Sequence, residues 1–172
     1  MPSAEPMSEE EFRGLVKTGA ITNFVFNVLI NGVIAWLLLS GPERLAPFGG
    51  ESYGPDLLIT GFLLSAIVTA IVIATHRSKA AKGELGLPAV RGPSWLTPAS
   101  AWSRWKTCGI AGLLGTVASG VLLGATALTV GSLSVPTYVV MKALYTGVLA
   151  AAIVGPATLL GLRLGAAAAE VG

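Results

Sequence analysis

Residues 55–75 read PDLLITGFLLSAIVTAIVIAT, and the only charge among them is Asp56, at the second position. About 20 mostly apolar residues in a helix cross the roughly 30 Å hydrocarbon core of a bilayer, so this stretch is long enough to span. Hydrocarbon offers no water to the backbone, and a lone segment satisfies its own N–H and C=O groups only as a helix. The start is also marked: Gly54-Pro55-Asp56 places proline at the first helical position and a carboxylate near the positive end of the helix dipole.

Three other stretches meet the same test, at about Thr18–Ser40, Lys106–Val130 and Pro136–Leu162. Thr97-Pro98 marks a start ahead of the third span, and Ser134 and Pro136 open the fourth. Of the 172 residues, 53% are hydrophobic and only 12% charged, where soluble proteins carry about a quarter. The expectation is an all-α, polytopic membrane protein: one membrane domain over 1–172, built as a four-transmembrane-helix bundle.

Ser8-Glu9-Glu10-Glu11 reads as a capping box. Phe12, Leu15, Val16 and Gly19 follow at helical spacing, which predicts a short amphipathic helix on the membrane surface before the first span. The N-terminus is acidic and lacks the basic n-region of a signal peptide, so the first span is expected to persist in the mature protein.

Lys and Arg are distributed unevenly. Arg13 and Lys17 precede the first span, Arg77, Lys79, Lys82, Arg91 and Arg104 occupy the 76–105 loop, and Arg163 lies near the C-terminus. The 41–54 loop has Arg44 against Glu43 and Glu51, and the turn at 132–134 is uncharged. By the positive-inside rule, both termini and the 76–105 loop face the cytoplasm of a bacterial inner membrane. Trp95, Trp102 and Trp105 beside these basic residues are expected to anchor that loop in the headgroup layer, or to form a docking site for a protein.

Gly19, Asn23, Asn27, Asn31 and Ala35 recur every four residues in the first span and form one small, polar stripe. Amides facing lipid would lose their partners, so the stripe is expected to face another helix or a water-filled space. It serves either as hydrogen-bonded glue between helices or as the lining of a solute path. Lys142 is the one charge well inside a span. Either it snorkels to the headgroups, or it points inward, with Tyr138 and Thr146 on its face and Asp56 as the nearest carboxylate. Gly112, Gly120 and Gly124 in the third span, with Gly147 and Gly155 in the fourth, are expected to let backbones approach closely. Pro156 is expected to kink the fourth helix. Thr60, Ser65 and Thr69 are expected to bond back to their own helix.

A net charge of +2 without a basic, aromatic-rich stripe excludes a nucleic-acid partner. One Cys (Cys108) and one His (His76) leave no disulfide, no cysteine metal cluster and no catalytic set within the chain, so neither a metal nor a cofactor is expected. No carboxylate lies inside a span, against a carboxylate-driven exchanger.

NVLINGVIAWLLL (27–39), DLLITGFLL (56–64) and MKALYTGVLAA (141–151) resemble a group of small bacterial four-span inner-membrane proteins with no assigned function. The resemblance touches three of the four spans and implies nothing about chemistry. Small multidrug exporters need a glutamate in the first span, and thiol enzymes of the epoxide-reductase type need a cysteine pair; this chain has neither.

The leading expectation is a non-enzymatic inner-membrane protein whose partners are the lipid bilayer and either further copies of itself or a larger membrane complex. The alternative is a small pore or carrier lined by Asn23, Asn27, Asn31 and Lys142. A membrane enzyme ranks third.

Overall fold

The computed structural model describes residues 5–39, 41, 43–89 and 103–171. Its elements run α1 (Glu9–Leu39), β1 (Arg44–Leu45), α2 (Gly54–Ala81), α3 (Arg104–Thr129), β2 (Leu133–Ser134) and α4 (Val135–Val171). All four helices are long and apolar enough to cross a membrane, and together they form an all-α bundle of a multi-pass membrane protein. The two ends of the bundle differ. One carries the β1–β2 pair; the other gathers the start of α1, the end of α2 and the start of α3, with their basic residues.

The capping box forms as read. Ser8 N–H and Oγ–H both donate to Glu11 Oε2 at 2.8 Å, and Glu11 N–H donates to Ser8 Oγ. The segment behind it is helical, but it runs without a break into the first span as one helix of 31 residues. Met7 ties this end down: its N–H donates to the Leu87 carbonyl, and its own carbonyl accepts from Ala89 N–H. Helix α3 starts at Arg104, with Ser103 Oγ accepting from Lys106 N–H; Thr97-Pro98 lies outside the described residues. Helix α4 continues through Pro156 to Val171, although proline has no N–H to offer the carbonyl four residues earlier.

Helix α4 packs against both α1 and α2, and α3 packs against α2. The central helices carry the core: Leu64, Val68, Val72 and Ile73 of α2 meet Ala150, Ala157 and Leu160 of α4. In α1 only Ala35 is buried. Phe26, Leu29, Trp36 and Leu37 on α1, and Leu113, Val117, Val121 and Leu128 on α3, face outward, as an apolar belt does in lipid.

Close approach occurs at some of the expected glycines. A side chain at Gly112 would meet the Phe62 ring at 2.8 Å, and one at Gly147 would meet Val28 at 2.6 Å and Phe24 at 2.9 Å. Gly120 and Gly124 were expected in these contacts and are not. Gly124 has nothing within 4 Å, and Gly120 only Leu58 at 3.9 Å. Gly155 makes an ordinary contact, with Val16 at 3.5 Å. The buried face of α3 instead runs Cys108, Gly112, Gly115, Ser119, Leu123, Thr126. The reason is geometric. Steps of four residues drift about 40° each around a helix of 3.6 residues per turn, whereas mixed steps of three and four stay on one face. The tightest α2–α3 crossing is therefore at Gly61 and Gly115, where an added Cβ on either would collide with the partner's backbone carbonyl.

Candidate functional site

Two short connections build the β end. Arg44 pairs with Ser134 and Leu45 with Leu133, antiparallel. Gly131 turns the chain between α3 and β2 at a φ of 71°, which favours glycine. The Arg44 guanidinium donates to the Ser132 carbonyl at 2.8 Å and to its hydroxyl at 3.3 Å, so the two connections are latched together. Beneath them lie Leu45, Tyr53, Leu57, Leu133 and Tyr138, all buried. The Tyr53 and Tyr138 rings stand 5.5 Å apart. Burial pushes the Tyr53 phenol above its ordinary pKa, and its hydroxyl donates to the Gly131 carbonyl at 2.9 Å.

Under this cap sits the charged site. Asp56 is in the first turn of α2, and Lys142 lies two turns into α4. Lys142 Nζ lies 2.8 Å from Asp56 Oδ1 and 2.7 Å from Oδ2. The Tyr138 hydroxyl donates to the same carboxylate at 2.6 Å. Lys142 is 1% exposed and does not reach solvent; it ends on Asp56, whose side chain is 24% exposed. Thr146, on the same face of α4, is also buried and returns its hydroxyl to the carbonyls of Lys142 and Ala143. The structure thus brings Asp56, Tyr138 and Lys142 together as one neutral, three-way hydrogen-bonded group joining α2 to α4. The ammonium and the phenol both donate to the one carboxylate, which clamps α2 to α4.

The asparagines do not join it, and they do not bridge helices. Asn23, Asn27 and Asn31 are half-buried. Each donates its amide N–H to the carbonyl four residues back in α1: Gly19 at 2.9 Å, Asn23 at 2.8 Å and Asn27 at 3.1 Å. Within the chain, the side-chain amides bond back to their own helix and not to a neighbouring one, because an Asn side chain is short enough to return to its own preceding turn. Asn31 also donates to Asn27 Oδ1 at 3.3 Å. The one link to another helix at this row is through backbone, from the Thr146 hydroxyl to the Asn27 carbonyl at 3.4 Å. The amide oxygens of Asn23 and Asn31 accept nothing from the described residues.

The remaining expected residues are scattered. Trp105 is 79% exposed at the start of α3, with the Arg104 guanidinium 5.7 Å from its ring; Trp95 and Trp102 lie outside the described residues. His76 Nδ1 contacts the Val72 carbonyl at 2.8 Å. Ser119 shares a 2.8 Å hydrogen bond with the Tyr145 hydroxyl, linking α3 to α4. Tyr53 is not marked by any sequence motif, since its role depends on which elements become neighbours. No family model matches the chain, nor does any curated protein or solved structure.

Proposed function

We propose that the chain is a non-enzymatic subunit of a bacterial inner membrane, with both termini cytoplasmic, which assembles with further copies of itself or within a larger membrane complex. One observation carries this reading. Asn23 and Asn31 sit within a spanning helix with amide oxygens that accept no hydrogen bond from the described residues, on a helix whose main packing partner in the chain is α4 alone. A polar group left unpaired in hydrocarbon is costly, and side-chain bonds across a helix interface relieve that cost. A second subunit laid along the asparagine edge of α1 supplies the donors. Engagement of Asp56 with Lys142 and of Ser119 with Tyr145 in structural bonds supports a non-catalytic role.

The pore or carrier reading draws on the same edge, with water in place of a partner helix. Native mass spectrometry of the protein in lipid nanodiscs, paired with liposome flux measurements, separates the two. Assembly predicts oligomers that Asn23→Leu with Asn31→Leu dissociates while flux stays at background. A folded monomer whose flux falls on the same substitutions overturns the proposal in favour of the pore.

A further inference from the structure

Helices α3 and α4 both pack on α2, and near mid-membrane they are joined through Ser119 and Tyr145. Toward the basic end they part and leave a cleft of 370 Å³, a volume within the range of small-molecule pockets. Its walls are apolar, with Ile110 and Leu114 on α3 and Leu149 and Ile153 on α4. Its floor on α2 carries Ser65 and Thr69, which are 1% and 5% exposed. Contrary to the expected bond to their own helix, neither hydroxyl has a hydrogen-bond partner among the described residues. That is unusual within this chain: Thr116, Thr126, Thr129 and Thr146 all bond back to the carbonyl four residues earlier, the default for a hydroxyl in a spanning helix. A third orphan, Thr158, does not line the cleft.

Depth selects the ligand. Ser65 stands 11 residues from each of Gly54 and His76, about 16 Å along the helix axis from either, which is close to the middle of a 30 Å hydrocarbon core. Phospholipid ester carbonyls lie at the edge of that core and do not reach it. No charged side chain lines the cleft, so an ionised headgroup would be desolvated without a counter-ion. What fits is a neutral molecule dissolved in the membrane interior, slim, largely apolar and carrying a carbonyl acceptor.

We propose that this cleft binds a lipid quinone, its ring carbonyl accepting from Ser65 and Thr69 and its tail leaving between α3 and α4 into the bilayer. The test is thermal unfolding of the full chain in nanodiscs titrated with decylubiquinone, with decylbenzene as the matched tail lacking carbonyls. The expected result is a saturable rise in Tm with decylubiquinone alone. Ser65→Ala with Thr69→Val keeps the cleft and should weaken binding about tenfold, the effect of losing one or two neutral hydrogen bonds. Ala111→Phe fills the cleft and should abolish the shift; Ala152→Phe serves if that variant does not unfold cooperatively. No rise in the unaltered protein, an equal rise with decylbenzene, or undiminished affinity in the hydroxyl-free variant would each overturn the proposal. The last two outcomes would mark the cleft as a groove for acyl chains only.

Discussion

Cutting the Asp56–Lys142 clamp from its two sides should have unequal effects. Lys142 is 1% exposed, and both its acceptors are oxygens of Asp56. Asp56→Leu therefore leaves a buried ammonium with no carboxylate. Breaking a buried pair in this way costs about 3–5 kcal/mol, and the insertion penalty for a lone mid-helix lysine, about 2.5–3.5 kcal/mol, has the same size. Lys142→Met leaves a carboxylate that is 24% exposed and still accepts from Tyr138 at 2.6 Å. Only charge-assisted hydrogen bonds are lost, worth about 1.5–3 kcal/mol. The double variant removes both charges and should return to within about 1 kcal/mol of the unaltered protein, since apolar replacement of a whole buried pair is often neutral or better. Equilibrium unfolding in mixed micelles, followed by circular dichroism, measures all four proteins as a double-mutant cycle. A larger loss from Lys142→Met than from Asp56→Leu, or single losses that add in the double variant, would refute the reasoning.

Other outcomes follow from the same geometry. Gly115→Leu drives a side chain into Ser65 and the Gly61 carbonyl and should lower unfolding stability by about 1–3 kcal/mol or more, whereas Gly124→Leu, with nothing within 4 Å, should leave it nearly unchanged; equal losses would contradict the α2–α3 crossing described. Asn27→Leu gives up its bond to the Asn23 carbonyl and the longer one from Asn31, both within its own helix, and should shift stability by about 1 kcal/mol or less, so a loss of several kcal/mol would reveal a bridge between helices. In a Cys108→Ser background, cysteines at Ser52 and Ser132 should label with an impermeant maleimide from the periplasm and one at Ser78 should not; the reverse pattern would invert the orientation.

The spans were legible because each is a long apolar run bounded by turn residues, and bilayer thickness converts length directly into structure. The Asp56–Lys142 pairing was accessible for a related reason: two opposite charges were placed at similar depth on antiparallel helices, and few other groups were available to either. Packing detail was less accessible. Gly120 and Gly124 stood in a four-residue stripe with Gly112, yet the contact face follows Gly115 and Ser119, because helical drift is invisible in a short repeat. The asparagines misled in a different way. Spacing places an amide on a face but does not decide between a neighbouring helix and the preceding turn of its own. Tyr53 and the Arg44–Ser132 latch join residues 78 and 88 positions apart and carry no local signal at all.

The account rests on the asparagine edge of α1 being an interface, and the mass of the protein in lipid tests that most directly. Native mass spectrometry in nanodiscs should find the unaltered chain as an oligomer or bound to partner subunits, and the Asn23→Leu/Asn31→Leu variant as a folded monomer. A monomeric unaltered protein, or an oligomer indifferent to both substitutions, would contradict it.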